Sequence, residues 1–84
     1  MDAEDIKSEL VAKAFGEVMR QHRREQGLSQ EKLAEISGLD RTYVSKLERG
    51  IHQPSLTAFL RLAQALDVSA AEMVESVRKQ CLPE

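Results

Sequence analysis

The chain has 84 residues, 42% apolar and 31% charged, with two prolines and four glycines. That balance suits one folded helical domain and argues against disorder, and against a binding domain joined to a separate effector domain. Its 12 basic and 14 acidic side chains leave a formal charge of −2, which weighs against nucleic acid as a partner, because such binders usually carry a positive excess.

No apolar run approaches the roughly 18 residues of a membrane span, and the N-terminus is acidic where a secretory signal would be basic and then apolar. A cytoplasmic protein without membrane contact is expected. Apolar residues recur at helical spacing nearly throughout, and no stretch alternates with a period of two for long, so an all-α fold of five helices is predicted.

The first helix is expected to run to about Gln26. It carries Ile6, Leu10, Ala14 and Val18 on one stripe and Val11, Phe15, Met19 and His22 on the next, and Gly27 follows as its stop. Asp2 and Ser8 are both candidates to cap its start. Ser29 is placed to cap a second helix, Gln30 to about Ser37, anchored by Leu33, Ala34 and Ile36, after which Gly38 supplies a tight turn.

Asp40 then caps a third helix, Arg41 to Arg49, closed by Gly50. Pro54 and Ser55 open a fourth, continuing to Leu66, and Ser69 with Glu72 reads as a capping box opening a fifth, to about Gln80. No repeat or linker divides the chain, so residues 1–84 are read as one domain.

Charge is not spread evenly. Residues 1–19 carry two basic and five acidic side chains, residues 20–49 carry seven and five, and residues 50–84 carry three and four. The positive stretch holds the helix, glycine turn and helix at about 30–49, an arrangement that lets one helix brace on the phosphate backbone while the next enters the major groove.

At about 100° per residue, Arg41, Thr42, Ser45, Lys46 and Arg49 fall within an arc of roughly 140° on the third helix, with Tyr43, Val44, Leu47 and Glu48 opposite. Guanidinium and ammonium groups reach guanine O6 and N7, and a threonine offers a hydroxyl and a methyl, so this face is chemically competent to read base edges. The plainer alternative is the solvated face of an amphipathic helix.

The run Ser29-Gln30-Glu31-Lys32-Leu33-Ala34, then Gly38, then Leu39-Asp40-Arg41-Thr42-Tyr43-Val44-Ser45-Lys46-Leu47-Glu48-Arg49-Gly50 resembles the lambda-repressor-like helix-turn-helix regulators, also called the XRE family. Pro54-Ser55-Leu56, Leu62-Ala63 and Leu66 continue the pattern, and the likeness spans about Phe15 to Met73. Within that family the stretch Leu39 to Arg49 looks similar to the controller proteins of restriction-modification systems.

The resemblance implies a sequence-specific, double-stranded DNA-binding transcriptional regulator and a compact five-helix lambda-repressor-like domain. It matches Arg41, Thr42, Ser45 and Lys46 to base-facing positions, Gln30 and Arg49 to backbone contacts, and Arg23 and Glu48 to a structural ion pair. Tyr43 is expected to pack with its hydroxyl at a phosphate. His22 stands where the family usually has an apolar residue, and is expected to be a partly buried neutral histidine.

Leu56, Phe59, Leu60, Leu62, Ala63 and Leu66 on the fourth helix, with Met73, Val74 and Val77 on the fifth, offer more apolar surface than one small core needs. Helices at about 55–80 are therefore expected to form a two-fold homodimer interface that includes Leu60, Val74 and Val77, on a near-palindromic operator. The competing arrangement folds Ile6, Leu10 and Val11 of the first helix over that surface.

His52 lies in the loop between the third and fourth helices, where it reads as an exposed loop histidine, with a DNA-facing contact as the alternative, and Cys81 reads as a small hydrophobe on the fifth helix. One cysteine and two histidines give no zinc spacing, and no catalytic triad or phosphate-cradling glycine loop is visible, so neither metal, cofactor nor enzymatic activity is expected. An antitoxin, with acidic residues 1–9 as a partner-binding tail, or a protein-interaction module that has kept the fold, is the alternative function.

Overall fold

The computed structural model describes residues 3–82. A single 3-10 turn at Ala3–Asp5 precedes five helices: α1 Ser8–Glu25, α2 Gln30–Ser37, α3 Arg41–Glu48, α4 Leu56–Ala65 and α5 Ala70–Cys81. No strand occurs among the described residues.

Four helix starts are fixed by short polar side chains that satisfy otherwise unpaired backbone donors. Ser29 Oγ accepts from the Lys32 N–H at 3.0 Å and Asp40 Oδ1 from the Thr42 N–H at 2.7 Å. Ser55 Oγ accepts from Ala58 at 3.0 Å, and Ser69 Oγ from Glu72 at 3.3 Å. α1 differs: Lys7 occupies the cap position without a side-chain bond, and Ser8 is already helical.

Asp2, the other candidate cap, lies outside the described residues. Because the helix begins only at Ser8, Ile6 falls before it, 52% exposed, and does not extend the apolar stripe.

Between α2 and α3 the chain reverses through Gly38 at φ +72°, a left-handed conformation that costs a residue without Cβ nothing. The Leu39 N–H then bonds back to Ala34 O at 2.9 Å and the Gly38 N–H to Glu35 O at 3.3 Å, closing the helix end.

α1 packs on α5 and α3, α2 on α3 and α4, and α4 on α5. Met19, Leu33, Val44, Leu47, Leu62, Leu66 and Met73 are fully buried where these helices meet. The Phe15 and Phe59 rings join α1 to α4 edge-to-face, with centroids 5.9 Å apart and planes at 64°.

Ile36 does not anchor α2, for it is 49% exposed. The buried arc of this helix runs from Leu33 through Ser37 to Ala34, and Ile36 lies about 60° outside its edge. Ser37 fits the buried side because its hydroxyl donates to Leu33 O at 2.6 Å.

Most of the apolar surface of α4 and α5 is used within the chain: Phe59, Leu62, Ala63, Leu66, Met73 and Val77 are all buried. α1 lies over α5 to cover part of it. What remains outside is Leu56, Leu60 and Val74, at 73%, 50% and 53% exposure.

Candidate nucleic-acid interface

α3 is divided lengthwise. Val44, Leu47 and Glu48 point inward and are buried, while Arg41, Thr42 and Arg49 are exposed and Ser45 and Lys46 half-buried on the outer side. The outer side thus carries two guanidinium groups, one ammonium and two hydroxyls along about two turns of helix, a donor-rich surface suited to major-groove base edges and to phosphates.

Tyr43 sits at the boundary, half-buried against the core, and its hydroxyl accepts from the Ser55 N–H at 3.3 Å. That bond joins α3 to the start of α4. Arg49 lies along its own helix, with Nε 3.4 Å from Ser45 O.

The inward side of α3 ends in a buried carboxylate. Glu48 is 3% exposed, and it accepts from Arg23 Nε at 2.6 Å, Arg23 Nη2 at 3.0 Å and Gln30 Nε2 at 3.1 Å. Arg23 Nη1 also donates to Leu28 O at 2.8 Å, while Arg20 Nη2 reaches Glu48 O at 3.2 Å and Arg20 Nε lies 3.5 Å from the carboxylate.

Burial alone would raise the Glu48 pKa; hydrogen bonds from Arg23 and Gln30, the Arg23 charge and the Arg20 contact together outweigh it and hold the carboxyl below its ordinary range. One anionic side chain therefore ties α1, the turn after it, α2 and α3 together.

Two participants in this network escape a reading of the sequence. Arg20 lies one helical turn before Arg23 on the same face of α1, which was the available signal. Gln30, matched to a phosphate contact by resemblance, turns one amide N–H onto Glu48 and leaves its other N–H and its oxygen outside that bond.

Gly16 is a further residue that no sequence pattern singled out. A Cβ there would stand 2.5 Å from Leu47 O and 2.6 Å from Glu48 O, so the backbones of α1 and the end of α3 are in contact. Just past α3, a Cβ on Gly50 would stand 3.0 Å from Lys13 Cα. α3 is thus pressed onto α1 at its C-terminal end.

Beside the outer face of α3 lies an open cleft of about 550 Å³, lined by Asp40, Thr42, Tyr43, Lys46, His52 and Gln53. The loop carrying His52 is held to the start of α1 by Gln53 Nε2, which donates to Ser8 O at 3.2 Å. His22 is half-buried with Nδ1 3.5 Å from Glu25 Oε1, and Cys81 packs partly buried against the core.

Adjoining that cleft at Gln53, Val74, Leu56, Val11 and Pro54 line an apolar groove of about 320 Å³ over Phe15 and Phe59. Leu60 is exposed beside Phe59 on α4, whereas Val77, 9% exposed, belongs mainly to the core. No helix among the described residues is long and apolar enough to cross a membrane, and no His, Cys, Asp and Glu side chains there gather as metal ligands.

The family profile described as Helix-turn-helix matches residues 19–73. The chain belongs to the helix-turn-helix family of transcriptional regulators. Among its relatives is the uncharacterized regulator y4dJ of Sinorhizobium fredii, 44% identical over 64 residues that cover 76% of this chain and 83% of that one. The control protein C.SmaI of Serratia marcescens is 39% identical over 64 residues, 76% of each chain.

Solved structures agree with that family. The restriction-modification controller protein C.AhdI of Aeromonas hydrophila superposes with a TM-score of 0.72 at 48% identity, over 74% of this chain and 94% of that one. The controller C.Esp1396I, solved as a tetramer on its natural 35 base-pair operator, superposes with a TM-score of 0.76 at 32% identity, over 86% of this chain and 95% of that one. These relatives are transcriptional regulators, which favours DNA binding over an interaction module that has merely kept the fold.

Proposed function

We propose that this regulator binds a near-palindromic duplex operator as a two-fold dimer and serves as the controller of a restriction-modification system. The observation that carries the reading is the division of α3, whose outer side presents Arg41, Thr42, Ser45, Lys46 and Arg49 while its inner side is fixed to α1 through Glu48. Arg41, Thr42, Ser45 and Lys46 read base edges; Gln30, Tyr43 and Arg49 hold the backbone.

Tyr43 is suited to its part because its oxygen accepts from Ser55, leaving its own proton to donate to a phosphate. Arg23 and Glu48 are structural. Leu60 and Val74 supply the exposed centre of the dimer contact, with Val77 at its inner edge. The controller likeness supports the circuit, an operator on DNA places the protein in the cytoplasm, and no catalytic step belongs to this reading.

The test uses duplexes enriched from a random pool by the full-length protein, compared with a shuffled duplex across 50 to 200 mM salt. Affinity for the enriched duplex should fall linearly on logarithmic axes as salt rises, and should exceed affinity for the shuffled one by about a thousandfold or more. Binding that ignores salt, or a pool that yields no preferred sequence, overturns the reading.

A further inference from the structure

Base reading accounts for Thr42 and Lys46 in the cleft between α3 and the α3–α4 loop, but not for His52. We infer that it seats one backbone phosphate of the operator against His52, beside the base-reading Lys46, so that DNA affinity is linked to protonation of His52. The inference rests on the DNA-binding reading above and adds to it a titratable contact.

Three observations point the same way. Thr42 and Lys46, both on the outer side of α3, also line the cleft, so it opens on the side turned to DNA, where phosphates flank an inserted helix. His52 is exposed and makes no hydrogen bond or ion pair among the described residues, so its ring is free to meet a ligand.

Its loop is also braced. Gly50 rests on Lys13, Gln53 donates to Ser8 O, and the Tyr43 hydroxyl holds the Ser55 N–H. His52 is therefore presented from a fixed backbone, which lowers the ordering cost of a contact.

The charged and titratable groups that face the ring are few. Asp40, from the turn before α3, is the only acid lining the cleft among the described residues, and its carboxylate already accepts from the Thr42 N–H; Tyr43 and Lys46 come from α3, and Lys13 backs the loop from α1. A phosphate seated against the ring attracts its charged form. Binding therefore favours the protonated ring. Histidine is the side chain that ordinarily exchanges its charge between about pH 5 and 8.

The experiment measures affinity of the full-length protein for an enriched duplex and for a shuffled duplex at pH 8 and pH 6. Wild type is expected to bind both about two- to fivefold more tightly at pH 6, the range of an exposed ionic contact, with the salt slope steeper by about one unit. H52Q should remove this pH response and H22Q, the other histidine, should keep it.

A pH response that survives H52Q, or wild-type affinity that is flat between the two pH values while binding at pH 8 is intact, overturns the phosphate seat alone. Failure of wild type to bind either duplex at pH 8 overturns it together with the DNA-binding reading.

Discussion

Arg23 grips Glu48 with two parallel hydrogen bonds, Nε to Oε2 at 2.6 Å and Nη2 to Oε1 at 3.0 Å, and only 13% of the arginine side chain and none of the carboxylate remain exposed. A buried pair of this kind contributes less net stability than its short distances suggest, because both charges have lost their water. Its strength shows when one partner is missing.

Glu48→Ala should therefore destabilise the fold by about 3–5 kcal/mol, since Arg23 is left as a buried cation without its partner. Arg23→Met combined with Glu48→Leu should cost clearly less than Glu48→Ala alone. Urea unfolding of the two variants decides the matter, and a double variant no more stable than Glu48→Ala would mean the pair is not coupled.

Acid should erode the same contact. The Glu48 carboxyl is held below its ordinary value of 4.5, so the native state favours the ionised form more than the unfolded chain does. The resulting stability is fully present above 4.5 and is lost as pH falls through the lower native value. Glu75, hydrogen-bonded to Arg78, is lowered as well, so the part due to Glu48 is read as the difference between wild type and Glu48→Gln in unfolding free energy from pH 7 to pH 3. An identical acid response in both proteins would remove Glu48 from the account.

Gly16→Ala is expected to be harmful although alanine is the better helix former by about 1 kcal/mol. The new methyl would meet two carbonyl oxygens at 2.5 and 2.6 Å, and these belong to backbone that cannot rotate aside. A loss of about 2 kcal/mol or more in thermal unfolding is anticipated; a neutral result would show that α1 and α3 separate without cost.

Arg41, at the start of α3, and Arg49, just past its end, are both exposed and should fail in different ways. Arg41→Ala is expected to cost about 1–3 kcal/mol on an enriched duplex and much less on a shuffled one, as the proposed base contact requires. Arg49→Ala should weaken both by similar factors and lower the salt slope by about one unit. Equal losses from Arg41→Ala on both duplexes would reduce it to a phosphate contact.

Leu60→Glu places a charge on the exposed apolar part of α4 without touching the core. It should yield a helical monomer by circular dichroism and sedimentation, with most affinity for a two-half-site duplex lost. Half-sites are expected roughly 34 Å apart. A wild type already monomeric at micromolar concentration, binding one half-site as tightly as two, would discard the dimer.

The helices were legible in the sequence because local chemistry marks their ends: Ser29, Asp40, Ser55 and Ser69 each form the cap their positions foretell. The start of α1 was not legible, since Lys7 caps it with no side-chain bond to advertise the place. Periodicity sorted the two sides of α3 correctly but misjudged Ile36, because an eight-residue helix leaves the edges of its buried arc to its neighbours.

At the candidate interface, the outward residues of α3 could be read from the sequence, whereas what orients them could not. The bond from Gln30 to Glu48 spans 18 positions and that from Arg20 to the Glu48 carbonyl spans 28. Neither follows from spacing along one helix.

The lengthwise division of α3 separates address from frame. The side chains that meet solvent at Arg41, Thr42 and Arg49 contribute little to the core, while Val44, Leu47 and Glu48 set the helix in place without facing outward. On the proposed reading, drift at the outer positions redirects the protein to a new operator in a few single-residue steps, each leaving a folded molecule, whereas drift at the inner positions removes the molecule before any new target is tried. Chains of this build are expected to diverge in what they read long before they diverge in shape.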